Sequence, residues 1–141
     1  MELLHKNAYW KIEWDADKKC MYNRWFPESF SMTDDEYREE VMLFSDLILE
    51  FEAEFSLSDS VDFLFTVSPE TQKWVVDQQF TRALDSEDNE GLRKIAVVMS
   101  NDMFAQLSTE QIIDDDTVKA FETQFFNEQK DAEKWLFSQS N

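Results

Sequence analysis

FLFTVSPETQKW, residues 63–74, decides how the chain is read. An apolar run stops at Ser68-Pro69, and the residues after it have the composition of a first helical turn. The Ser68 hydroxyl is suited to accept from an early helix amide. Pro69 brings the φ of a first helical residue without stranding an N–H, and Glu70 sets negative charge against the positive helix end. The stretch predicts a strand over VDFLFTV (61–67), apolar on both faces and so covered on both, followed by a helix through Trp74, Val75, Phe80 and Leu84. It also poses a chemical question: whether Ser68 offers a reactive hydroxyl or caps a helix.

Upstream, AYWKIEWD alternates strictly, with Trp10, Ile12 and Trp14 on one face and Tyr9, Lys11 and Glu13 on the other, the pattern of a half-buried strand. ADKK (16–19) makes a polar turn, CMYNRWF continues as a second strand, and Pro27 ends the hairpin. TDDEYREEVMLFSDLILEFEAEF (33–55) reads as one long helix. Thr33 and Glu36 form a capping box, and Tyr37, Val41, Phe44, Ile48, Phe51 and Phe55 make a buried stripe with Leu47 beside it.

Downstream of the second helix, DSEDNEG frays and Gly91 ends the segment. LRKIAVVMS (92–100) predicts a buried strand. SNDMFAQLSTEQII predicts a helix begun by Ser100 or Asn101, with a second capping box between Ser108 and Gln111. DDDTVKA is an acidic connection, FETQFF (121–126) alternates as a strand, and NEQKDAEKWLF (127–137) is a last helix capped by Asn127, with Ala132, Trp135 and Leu136 inward. The order ββαβαβαβα predicts an α/β fold. It has five strands, with one antiparallel pair at the hairpin and right-handed parallel crossovers elsewhere, in a single domain over residues 1–141.

With 43% apolar residues, thirteen Phe and five Trp in 141 residues, the chain is able to bury a core without disulfides or metals. One Gly and two Pro exclude collagen-like, linker-like and glycine-rich phosphate-loop designs. A lone Cys forms no internal disulfide. The opening MELLHKNAYWKIEWD lacks the basic-then-apolar pattern of a signal peptide, and the apolar runs are too short to cross a bilayer, so a cytoplasmic protein without a transmembrane segment is expected. Thirteen basic against thirty-one acidic residues give a net charge of −18, which repels nucleic-acid backbones and anionic membrane surfaces. From Glu28 to Glu54, ten acidic residues face one basic residue, Arg38, a local net of −9. Such a run reads as a solvated helix face or as a docking surface for a basic partner.

The residues offer little for catalysis. The one His, at position 5, lies near an end expected to be mobile, and Cys20 has no evident His partner. Asp114–Asp116 lack the glycine and terminal Glu of a calcium loop, and no G-x-S-x-G elbow surrounds Ser68. The expectation is a protein without catalytic residues, metal or cofactor, not an enzyme. Two helix starts, SPET and SND, converge on the edge where parallel strands end, the usual binding edge of open α/β sheets. Ser68, Thr71, Ser100 and Asn101 are the candidate residues there, as binding edge or phospho-acceptors.

YWKIEWD, VSPETQKWVVDQQFTRAL, GLRKIAVVMSNDMFAQLSTEQ and FFNEQKDAEKWL, in that order, resemble the bacterial SpoIIAA-like proteins of the STAS and CRAL-TRIO-like group over nearly the whole chain. The resemblance implies a mixed sheet of four or five strands with helices mainly on one face, and a non-catalytic module that binds a partner protein or a small ligand. In the related anti-sigma-factor antagonists a Ser at this helix start is phosphorylated, and Ser68 stands in the comparable place. The local pattern departs from theirs: Val67-Ser68-Pro69 replaces an Asp-Ser pair with a following glycine, Pro69 removes an amide and Glu70 adds like charge. The CRAL-TRIO-like side implies a carrier of an apolar ligand, with Trp25, Phe26, Phe30 and Phe104 as pocket lining. A homodimer is compatible with either reading.

Overall fold

The computed structural model describes residues 1–85, 92–100 and 122–138. In chain order they form β1 (Glu2–Lys6), β2 (Trp10–Asp15), β3 (Cys20–Trp25), a 3-10 turn (Pro27–Ser31), α1 (Asp34–Phe51), β4 (Phe55–Asp59), α2 (Pro69–Asp85), β5 (Lys94–Val98), β6 (Glu122–Phe126) and α3 (Gln129–Leu136). The class is α/β, as the sequence predicts. The strands make one six-stranded sheet in chain order, β1-β2-β3-β4-β5-β6, one more than the most expected. β1/β2 and β2/β3 are antiparallel, and the three pairs from β3 to β6 are parallel.

The alternation in β2 fixes which face is which. Trp10, Ile12 and Trp14 lie under α1 with Met21 and Trp25 of β3, and all are buried. Trp10 stacks on Trp25 at 4.1 Å between ring centres, and Phe44, Leu47, Ile48 and Phe51 of α1 close over them. On the opposite face Cys20, Tyr22, Leu57, Ala96 and Val98 are covered by Ala132 and Leu136 of α3, with Trp135 packed beside them. Helices thus cover both faces: α1, with α2 joined to its side, on one, and the short α3 on the other.

Several expectations are corrected. The strand between α1 and α2 is FSLSD (55–59), not VDFLFTV, and residues 63–68 are irregular. The aromatic residues of 61–67 still pack inward: Phe63 lies 4.8 Å from Trp25, and Phe65 lies 5.2 Å from Tyr37, ring centre to ring centre. Burial accounts for their apolar pattern without a hydrogen-bonded ladder. The first helix stops at Phe51 because Glu52 turns into the left-handed region (φ 54°, ψ 48°), its amide bonding back to Ile48 and Leu49. Phe55, expected on the helical stripe, is therefore a β4 residue that packs on the α3 face. β1, with His5 inside it, lies where a mobile end was expected, and α3 starts after Glu128, not Asn127, without a side-chain cap. The helix expected from Ser100 onward lies outside the described residues, as do Gly91, Asn101, Phe104 and the acidic connection 114–120.

The capping box of α1 forms as its sequence implies. Thr33 Oγ1 accepts from the Glu36 amide at 3.1 Å, and the Thr33 amide donates to Glu36 Oε1 at 3.0 Å. The Tyr9 hydroxyl adds a bond to Glu36 Oε2 at 3.0 Å, tying the hairpin to the helix start. The Thr33 amide first, and Tyr9 second, hold the Glu36 carboxyl below its ordinary range. A lowered folded-state pKa stabilises above the unfolded value of about 4.3 and is lost as pH falls through the folded value. The stability gap between wild type and Glu36→Gln is therefore expected to be widest above about pH 5 and to narrow toward acid. Urea unfolding over a pH series measures it, and a gap independent of pH contradicts the assignment.

Candidate functional site

Both long helices begin at the edge where β3 and β4 end, so their N-termini lie side by side. Ser68 caps α2: its Oγ accepts from the Thr71 amide at 3.2 Å, and Pro69 takes the first helical position. The same hydroxyl donates to Asp34 Oδ2 in the first turn of α1, at 3.2 Å. Thr71 Oγ1 donates to that carboxylate oxygen at 3.0 Å and accepts from Arg38 Nη2 at 3.1 Å. Arg38 also lies over the Trp74 ring, 5.3 Å from its centre. One carboxylate and one guanidinium thus clamp the first turn of α2 against the first turn of α1.

This geometry bears on the candidate residues. Thr71 is completely buried, so its hydroxyl braces the junction and presents no acceptor at the surface. Ser68 is half-buried and bonded on both sides, and a phosphate placed there would stand against Asp34 and Glu70. Ser100 follows β5 at the same edge and is half-buried, while Asn101 lies outside the described residues. Ser68→Ala is expected to cost about 1 kcal/mol in urea unfolding, the ordinary cost of a lost cap. Ser68→Asp, a good cap elsewhere, is expected to be no better here, because it sets a second carboxylate against Asp34. Full rescue by Asp would show that the Asp34 contact does not matter.

A second polar cluster escaped the sequence reading. Glu40 of α1 accepts from Trp10 Nε1 and from Asn7 Nδ2, each at 2.6 Å, and its carboxylate lies 3.3 Å from His5 Nε2. Asn7 Oδ1 in turn accepts the amides of Tyr9 and Trp10, closing the β1–β2 turn. A His–Glu pair is capable of proton transfer in principle. Here two donors, from Asn7 and Trp10, converge on one carboxylate beside His5, and the evident work is to fasten β1 and β2 to α1. No local sequence signal marks it, because Glu40 meets residues about thirty positions upstream.

Cys20 is wholly buried, and burial pushes its thiol up to about 12, which keeps it protonated and unreactive at neutral pH. Among the described residues no three His, Cys, Asp or Glu side chains converge to hold a metal ion, and no helix is long and apolar enough to cross a membrane. An open groove of about 410 Å³ runs between α1 and α2, lined by Arg38, Glu39, Met42, Leu43, Asp46 and Trp74. The aromatic residues expected to line a pocket are divided: Trp25 is buried in the core, whereas Phe30 is 67% exposed.

Phe30 is not alone. Leu64 (56%) and Val61 (44%) are also exposed, on the loop that leaves β4 at this edge. Ser29 fastens that loop to the 3-10 turn. Its hydroxyl donates to the Asp62 carbonyl at 3.4 Å and accepts from the Leu64 amide at 2.9 Å, and Ser29 itself is fully buried. Apolar side chains are therefore held outward on a braced backbone beside the two helix starts. Compared with models of protein families, with curated proteins and with solved structures, the chain matches none.

Proposed function

We propose that the chain is a non-catalytic, STAS-like interaction module whose working surface is the edge at which β3 and β4 end and α1 and α2 begin. The observation that carries this reading is the outward display of Phe30, Val61 and Leu64 from a backbone pinned by a buried Ser29. Exposed apolar groups on a rigid support cost solvation and serve association. The hydroxyls of Ser68 and Thr71 are spent inside the junction, which favours contact over chemistry at this edge. A photo-crosslinking residue at position 64, in cells that make the protein, is expected to capture a partner. The same residue at exposed position 50 on α1 is expected not to.

The second reading, a carrier of a small apolar ligand, draws on the groove beside Met42, Leu43 and Trp74. Native mass spectrometry separates the two. A small molecule released on unfolding, with no crosslink from position 64, would replace the module by the carrier.

A further inference from the structure

We infer that the edge built from residues 27–35 and 59–70 receives a basic segment of a partner protein, with one or two bulky apolar side chains set among lysines or arginines. This rests on the interaction-module reading and names the partner's chemistry. The two segments carry six carboxylates, Glu28, Asp34, Asp35, Asp59, Asp62 and Glu70, and not one Lys or Arg. Asp34 is committed to Ser68 and Thr71, and Asp59 faces Arg24 at 3.8 Å. Glu28, Asp35 and Glu70 are exposed on the same two segments as the exposed Phe30, Val61 and Leu64. The result is an apolar centre with an acidic rim.

That combination selects its occupant. An interface with an apolar centre and a charged rim takes affinity from the centre, and orientation and rate from the rim. A second copy of this chain would set one acidic rim against another, each on a body of net charge −18. Nucleic acid and anionic lipid are repelled on the same ground. A basic amphipathic segment satisfies both parts, and the field of the whole chain draws it in. The Ser29 clamp already orders the backbone of both segments, so little ordering remains to be done on binding.

The probe is a synthetic peptide of about twelve residues with Leu and Phe spaced among Lys and Arg, titrated into the full chain by calorimetry and 15N NMR. Binding is expected, with shifts confined to residues 27–35 and 59–70. Phe30→Ser or Leu64→Ser is expected to weaken it about tenfold or more, as is serine in place of the peptide's apolar residues. Both protein positions are exposed, and unchanged circular dichroism and urea midpoints confirm that the variants fold. Raising NaCl should weaken binding by slowing association. No binding overturns the inference, as does binding on residues 36–54 that ignores Phe30→Ser, or self-association abolished by Phe30→Ser. A crosslinked partner at position 64 together with a peptide that fails would reject the basic chemistry and leave the module standing. Failure of both would reject the two together.

Discussion

Glu40→Ala is expected to lower stability by about 3 kcal/mol, although the residue replaced is charged and only part-buried. The carboxylate takes two bonds at 2.6 Å, from Asn7 and from the indole of Trp10. Trp10 is 2% exposed and stacked on Trp25, so its N–H does not turn to water when the acceptor is removed. Stranding a buried donor costs about 1–3 kcal/mol, and bonds to a charged acceptor contribute more than neutral ones. Trp10→Phe keeps most of the ring and removes the donor. A double-mutant cycle should then return a coupling of about 1 kcal/mol or more between positions 10 and 40. A loss below about 1 kcal/mol for Glu40→Ala alone would mean that β1 and β2 hold to α1 by packing only.

Leu136→Ala should cost about as much, roughly 2–5 kcal/mol, by a different route. Eight residues are too few to stay helical in water, so α3 exists because it docks. Its anchors are Ala132, fully buried, and Leu136, 1% exposed, over Leu57, Ala96 and Val98. Shortening Leu136 leaves a cavity and loosens the helix, which should raise amide exchange at residues 129–136 before the rest of the chain opens. Cys20, in the same cluster, gives an independent readout. Its protonated, covered thiol should react slowly with a thiol reagent in wild type and markedly faster in the variant. Unchanged labelling together with a large stability loss would place the damage elsewhere.

The sequence was most legible where one face of an element is apolar and the other polar. Trp10, Ile12 and Trp14 identified β2 and its buried side, Thr33 and Glu36 identified the start of α1, and Ser68-Pro69 identified the start of α2. β4 was misplaced because its alternation is inverted in kind. Ser56 and Ser58 face the α1 side, where Ser58 bonds to buried Asn23 at 2.7 Å, and Leu57 lies under α3. Small polar residues in a sheet interior resemble a loop when their partner is distant in sequence. The end of α1 was hidden for a related reason: its left-handed residue is Glu52, not a glycine. Of the candidate site, the helix starts were readable. Asp34, Arg38 and Glu40 were not, because each acts on a residue about thirty positions away or more. The exposed edge was unreadable, since nothing local separates an outward Phe30 from an inward Phe63.

The plain strand order has a consequence for synthesis. Every strand pairs with the one made just before it, so none has to thread between two that have already joined. The sheet is able to lengthen by addition at one margin as the chain leaves the ribosome, each strand pairing with the one before it and becoming the new margin. α3 is made after the six described strands, and until it docks Leu57 of β4 and Ala96 and Val98 of β5 lack the cover of Ala132 and Leu136. Until α3 emerges, Leu57, Ala96 and Val98 are open to misassociation on the side it takes, and among the described residues those eight supply their cover from beyond the sheet.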